Sequence, residues 1–276
     1  MSAINMDKGG KMEIIVCIKP ILDPELPPAK FAVDGKKNQV IPPEGMPFVM
    51  SPYDTLAVEA ALRLKEAKGG KVTVLTLGTK FTEDVMRKAI AMGADEGFIL
   101  SDPAFEGSDG FATAHILTQA VKKIGTFDLI LCGRQAADWD AGIVGSVMAE
   151  YLGIPVVIRA KSIDVQDGKL KVERVVANGS EIFEVPIPAL VTMSSEMGQA
   201  RLPAGRGIII AAKKQFPKWS AADVGAEASK TGSASVRNSL VKLFIPSYQR
   251  TCEIVNGKDP AEAAALLAER ILAIKP

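Results

Sequence analysis

The chain of 276 residues carries 33 Lys plus Arg against 32 Asp plus Glu, and this near balance argues against nucleic acid or an anionic membrane as its main partner. An apolar fraction of 47 % with only 5 % aromatic residues suits a parallel sheet covered by alanine-rich helices. Three scattered cysteines, Cys17, Cys132 and Cys252, and the single histidine His115 argue against a disulfide scaffold, a zinc site or haem attachment. The first eleven residues, MSAINMDKGGK, lack the apolar run of a signal peptide, and no later run of about eighteen apolar residues suggests a span. The expectation is a soluble, cytoplasmic protein.

Met12 to Ile18, MEIIVCI, is a continuously apolar, β-branched run that predicts a strand buried on both faces. A proline-rich excursion with Pro24, Pro27, Pro28, Pro42, Pro43 and Pro47 follows up to Met50. Long stretches of this kind are usually functional or wrapped on a partner. Ser51-Pro52-Tyr53-Asp54 opens a helix, with Ser51 or Asp54 as its cap, and Gly69-Gly70 ends it. Lys71 to Leu77 is the second strand, Thr82 to Gly93 a helix, Gly97 to Leu100 a third strand, Phe111 to Ile124 a helix and Phe127 to Leu131 a fourth strand.

This alternation predicts an α/β fold, a mainly parallel, doubly wound sheet of the adenine-nucleotide-binding type. After Gly153 the runs 156–160, 162–165, 170–176, 181–185 and 189–193 read as strands, with turns at Asp167-Gly168 and Asn178-Gly179, and they form a β-hairpin extension. From Ser194 to about Gln249 periodicity is lost, apart from the apolar run Ile208 to Ala212, and residues 221–236 resemble a linker. Asp259-Pro260 starts a last amphipathic helix, which either caps its own core or packs on another chain.

The stretch CGRQAADWDAGIVGSVMAEYLG, Cys132 to Gly153, runs from a strand end through a glycine-dotted turn into a helix that starts near Ala141. A helix start leaves backbone N–H groups unsatisfied and carries the positive end of the helix dipole, so it holds an anion without side-chain charge. Gly142 and Gly145 allow close approach, while Asp138 and Asp140 either bond ribose hydroxyls or, for Asp140, cap the helix.

No nucleophile constellation stands out: His115 reads as scaffold and Cys132 as a structural thiol. A P-loop is absent, and no G-x-G-x-x-G follows the first strand. What remains is a nucleotide held by strand ends and a helix start, with a redox cofactor bringing the chemistry.

VCIKP at 16–20, MSPYDTLAVEAALRLKE at 50–66, VLTLG at 74–78, RKAIAMGAD at 87–95, LCGRQAADWDAGIVG at 131–145 and LKVERVVANGSEIFEVPIPALVT at 170–192, in this order and spacing, resemble the β subunit of electron transfer flavoprotein. The resemblance covers Met12 to Lys214. It implies a nucleotide-binding subunit paired with a larger α subunit whose flavin domain carries FAD. Such a pair accepts electrons from the acyl-CoA dehydrogenases of fatty acid oxidation and passes them to a quinone-linked oxidoreductase. The matched positions bind AMP, or a second FAD in NADH-dependent electron-bifurcating relatives. Here they are Cys17, Ser51, Pro52, Tyr53, Asp54, Leu77, Gly133, Arg134, Gln135, Ala136, Ala137, Asp138, Trp139, Asp140, Ala141, Gly142, Ile143 and Val144, with Gly145 and Ser146 extending the turn.

The segment Thr192 to Ala212 matches the loop that docks acyl-CoA dehydrogenases, with Met197 and Arg201 as recognition residues. Lys213 and Lys214 are either a further attraction for an acidic partner or a solvated pair. The resemblance thus implies a nucleotide-binding domain over 1–215, including the recognition loop at about 192–212, and a linker and C-terminal arm over 216–276 packing on the partner subunit. The turn departs from the family, because Ile143 replaces a glutamine, Val144 matches the FAD-binding kind and Ser146 does not. Ala177-Asn178 also stands where acidic residues are common. Two readings from other classes are a stand-alone adenine-nucleotide sensor and an adenylate ligase or hydrolase. A sensor has no need of the hairpin, loop and arm, and the ligase reading finds no catalytic acid, base or metal ligand.

Overall fold

The computed structural model describes residues 11–27, 30–46, 48–78, 81–247 and 252–274. Residues 1–10 of the polar leader, Pro28, Pro47 and Gln249 lie outside them. In chain order the elements are β1 (Met12–Ile18), β2 (Pro20–Leu22), β3 (Ala32–Asp34), β4 (Gln39–Ile41), β5 (Phe48–Met50), α1 (Pro52–Lys68), β6 (Gly70–Leu77), α2 (Thr82–Met92), β7 (Glu96–Leu100), α3 (Gly110–Ile124) and β8 (Leu129–Gly133). They continue with α4 (Val144–Leu152), β9 (Val156–Gln166), β10 (Lys169–Val176), β11 (Gly179–Pro186), β12 (Ala189–Met193), α5 (Gly205–Lys213), β13 (Lys218–Trp219), α6 (Ala221–Val224) and α7 (Pro260–Ala273).

The central strands are apolar without alternation because helices cover both of their faces. Along β1 the pleat sends Met12, Ile14, Val16 and Ile18 towards α1, α2 and α5, and Ile15 and Cys17 towards α3, α4 and α6. β8 repeats the division, with Leu129 and Leu131 on the first side and Ile130 and Cys132 on the second. The nine-stranded sheet has the order β11-β10-β9-β12-β8-β1-β6-β7-β13, parallel from β9 to β13, with β10 and β11 added antiparallel as a hairpin extension. This is the doubly wound α/β architecture that the alternation predicts.

Several segments are more ordered than their composition suggests. The runs 156–160 and 162–165 form one continuous strand, β9. The proline-rich excursion folds into two small antiparallel ladders, β2 with β5 and β3 with β4. Residues after Lys214 add β13 to the edge of β7, and the linker-like stretch is held down where Gly232 N–H donates to Ser108 Oγ (3.0 Å) and Arg237 N–H to Asp109 Oδ2 (2.7 Å).

Beyond Asn238 the chain becomes an exposed arm. It passes the β3–β4 hairpin, where Asn38 Nδ2 donates to Val241 O (3.1 Å) and Asn38 Oδ1 accepts Leu243 N–H (3.0 Å). α7 starts as its capping signal predicts, with Asp259 Oδ1 accepting Glu262 N–H at 2.8 Å. It buries no residue, and Leu272 is 84 % exposed. None of the helices formed by the described residues is long and apolar enough to cross a membrane.

Candidate functional site

β1 and β8 are neighbours in the sheet, yet the helices after them, α1 and α4, lie on opposite faces, which opens a crevice at the C-terminal ends of the two strands. Open α/β sheets bind ligands at such a switch point. Asp54, in the first turn of α1, closes the floor of the crevice. Its Oδ2 accepts Lys19 N–H (2.8 Å) and its Oδ1 accepts Gly133 N–H (3.1 Å), joining the two strand ends. Burial pushes its pKa up from 3.8 to about 7, against the two backbone donors and the Lys19 charge. Asp54 therefore does not cap its helix, and Ser51, the N-cap residue, makes no side-chain cap bond.

Around this floor Lys19 Nζ bonds Asp138 (2.6 Å), and Arg134 lies over the Tyr53 ring (4.7 Å to the centroid) while donating to Tyr53 Oη (3.2 Å). Cys17 and Cys132 are register partners on β1 and β8. The Cys17 thiol and burial push Cys132 well above the ordinary thiol range, which keeps it a protonated, structural thiol. His115 is buried edge-on to Tyr151, and burial lowers its pKa, consistent with a scaffold role.

The turn after β8 is longer than its sequence suggests. α4 starts at Val144 rather than near Ala141, so Asp140 sits outside the helix and accepts Gln135 Nε2–H at 2.6 Å instead of capping. Gly142 adopts φ +63°, a conformation that favours glycine. Gly145 serves packing: a Cβ there would lie 2.9 Å from Thr192 Cγ2 and 3.2 Å from Leu190 Cδ2, so its absence lets α4 settle on β12.

The structure gathers Cys17, Ser51–Asp54 and Gly133–Asp138 around the crevice floor. Ala136 O accepts the N–H groups of Trp139 and Asp140, and Trp139 faces outward, 59 % exposed. Leu77 lines a separate small cleft of about 140 Å³ with Gly78, Leu100 and Phe105. A larger cleft of about 370 Å³ opens on the other side, among Arg134, Gln135, Asp140–Gly142, Ile158, Arg159 and Thr192. Lys19 and Arg159 are the residues that sequence reasoning missed. Lys19 is adjacent to a recognised strand end, but Arg159 reads as an ordinary strand residue.

Among the described residues, three buried polar atoms at this edge have no partner within the chain: Ser51 Oγ, Thr76 Oγ1 and Arg134 Nε. Buried polar groups are nearly always hydrogen-bonded, so these atoms beside the strand ends retain unused bonding capacity.

In the segment Thr192 to Ala212, Met197 packs partly against the core and Arg201 turns inward. Arg201 Nε donates to Glu59 Oε2 (2.7 Å), and its Nη1 bonds Glu66. Burial alone would raise Glu59, but the bonds from Arg201 and Arg63 hold its carboxyl below the usual range. The exposed apolar side chains of the segment are Leu202, at 89 %, and Ile208, Ile209 and Ile210. Lys214 bends back to donate to Asp95 O at 2.9 Å. Arg201→Ala is expected to lower the unfolding free energy by about 1–2 kcal/mol, because Arg63 stays on the buried Glu59 and limits the loss. Urea unfolding at neutral pH checks this, and an unchanged midpoint would refute it.

Fold and crevice together define a class: a doubly wound α/β protein with a crevice at its switch point and no cluster of metal-ligating side chains among the described residues. The electron transfer flavoprotein domain profile matches residues 40–224. The chain is 36 % identical over 273 residues to the electron transfer flavoprotein subunit beta of Megasphaera elsdenii, covering 96 % of this chain and 99 % of that one. It is 37 % identical to the protein of the same name from Thermoanaerobacterium thermosaccharolyticum, over 94 % and 98 % of the two chains. It is also 34 % identical to the caffeyl-CoA reductase-Etf complex subunit CarD of Acetobacterium woodii, over 94 % and 98 %. The chain belongs to the family of electron transfer flavoprotein β subunits, which are electron-transfer proteins.

Proposed function

We propose that this chain is the nucleotide-holding subunit of a cytoplasmic electron carrier. It pairs with an FAD-bearing α subunit, accepts electrons from acyl-CoA dehydrogenase-type flavoenzymes and delivers them to a quinone-linked oxidoreductase. The observation that carries this reading is the crevice itself, with unpartnered buried polar atoms beside it. Bound flavin supplies the redox chemistry by accepting and releasing electrons. The chain's own residues bind and orient.

In this reading Cys17, Ser51–Asp54, Leu77 and Gly133–Ser146 hold the nucleotide, with Ser51 Oγ, Thr76 Oγ1 and Arg134 as the polar groups that reach it. Residues 1–215 form the nucleotide-binding domain, and 216–276 form the linker and arm, whose exposed α7 packs on the α subunit. The segment 192–212 meets the dehydrogenase through its exposed Leu202 and Ile208–Ile210, with Met197 and Arg201 supporting it from within. A second reading keeps the same fold but places a second FAD here and couples the pair to NADH, as an electron-bifurcating flavoprotein. The observation favouring it is the larger cleft beside the crevice.

Purifying the chain with its candidate α subunit, recording the absorption spectrum and identifying the extracted nucleotides tests both readings. One flavin plus AMP per heterodimer is the result expected of the simple carrier, and two flavins that of the bifurcating form. ATP on a flavin-free homodimer would refute both.

A further inference from the structure

α5 is a helix that its own sequence does little to sustain. It has nine residues, GRGIIIAAK, with two glycines among the first three, three isoleucines after them and no side-chain cap at its start. Isolated helices shorter than about 12–15 residues are marginal in water, and glycine and β-branched residues weaken them further. Only Ala211 is buried, while Ile208, Ile209 and Ile210 are each more than half exposed. Burial of an apolar face is therefore not what holds α5 in place.

The holding contacts come from α2. Gly207 lies on Ala91, where a Cβ would stand 2.2 Å from the Ala91 carbonyl oxygen, so the two backbones meet directly. At the other end Arg87, from the middle of α2, gathers three carbonyls on one nitrogen. Its Nη1 donates to Ala211 O (2.6 Å), Ala212 O (3.0 Å) and Lys214 O (3.2 Å). A helix end leaves such carbonyls without intrahelical partners and carries the negative end of the dipole, so a guanidinium suits it. Arg87 is itself held in aim, because Glu83, one turn earlier on α2, faces its Nη2 at 3.6 Å and the buried Phe216 ring lies 5.7 Å from its Cζ. The three exposed isoleucines lie between these two fixings.

We propose that Arg87 is a positioning residue for docking: by capping α5 from α2 it sets the orientation in which Ile208–Ile210 meet the electron-donating flavoenzyme. This rests on the reading of 192–212 as the docking segment. Arg87 lies outside that segment and acts through α5. A surface ordered beforehand spares association the cost of ordering it, so the cap acts on affinity and leaves the electron-transfer step within the complex unchanged.

The test uses the full-length chain purified with its α subunit and flavin, supplied as the varied electron acceptor to a short-chain acyl-CoA dehydrogenase reduced with butyryl-CoA. Arg87→Met, which keeps an apolar stem but removes the cap, is expected to raise KM for the heterodimer about tenfold with kcat within about twofold, and to speed hydrogen exchange of the α5 amides about tenfold. Arg87→Lys, which keeps a charged donor at the helix end, should return both quantities to within about threefold of the unmodified protein. Leu202→Ala is the reference for docking and should raise KM without changing α5 exchange. Unchanged KM or unchanged α5 exchange in Arg87→Met, a fall in kcat as large as the expected rise in KM, or an Arg87→Lys variant no better than Arg87→Met would overturn the assignment, and a raised KM in Leu202→Ala would leave the docking reading standing. KM unmoved by Leu202→Ala as well, or no reduction of the unmodified heterodimer, would overturn that reading and the assignment with it.

Discussion

Gly133→Ala is expected to lower the unfolding free energy by about 2–3 kcal/mol, the range of a forced overpacking combined with one lost hydrogen bond. A Cβ at this position would stand 2.5 Å from Asp54 Oδ1, 2.7 Å from Tyr53 Cβ and 2.8 Å from the Tyr53 carbonyl carbon. Two of those atoms belong to the start of α1 and cannot rotate away. Either the end of β8 or the first turn of α1 moves, and the Gly133 N–H to Asp54 bond is lost with it. Gly205→Ala provides the contrast, since nothing lies within 4 Å of its Cβ, and is expected to be neutral or mildly stabilising. Urea unfolding of both variants decides: a Gly133→Ala midpoint equal to that of the unmodified chain would show that the two strand ends are not closed on Asp54. The same variant should bind nucleotide more weakly, because the crevice floor is what shifts.

Asp54 predicts a pH dependence of unusual sign for a carboxyl group. Its pKa in the folded chain is about 7 against an ordinary 3.8, so the folded state binds the proton more tightly than the unfolded one. The contribution to stability is fully present below the ordinary value and is lost as pH rises through about 7. The loss is at most about 4 kcal/mol, at roughly 1.4 kcal/mol for each tenfold difference in proton affinity between the folded and unfolded chain. Carboxylates held low, such as Glu59, act in the opposite sense and lose stability as pH falls. The difference between the unmodified chain and Asp54→Asn isolates the group. Unfolding free energies measured at several pH values between 4.5 and 8 should show Asp54→Asn losing less as pH rises, with the gap narrowing or reversing. A difference independent of pH would mean that Asp54 does not titrate in this window.

The parts of the fold that are legible in the sequence are those fixed by local pattern. MEIIVCI and the run before Cys132 announce strands covered on both faces, and Asp259-Pro260 announces a helix start, because each signal is complete within a few residues. Asp54 is legible as a residue of the site but not in its role. A carboxylate in a first helical turn looks like a cap, and only the fold brings it to backbone donors 35 and 79 residues away. Arg159 is not legible at all, since the bulge that sets it opposite Thr192, 33 residues further on, is a property of two paired strands. Gly145 reads as room for a ligand, whereas its neighbours are Thr192 and Leu190 of β12. The small ladders β2–β5 and β3–β4 escape notice because prolines dominate that stretch and strand runs of three residues carry no periodicity.

The two-point grip of Asn38 on Val241 and Leu243 bears on the thermodynamics of assembly. An unanchored arm loses conformational freedom at about 1–2 kcal/mol per residue whenever a surface immobilises it. Here the stretch beside the hairpin is already fixed before any such surface arrives, while Val241, Phe244 and Ile245 still face outward. Association through this stretch should thus show the negative heat-capacity change of apolar burial without the full entropic penalty of coupled folding.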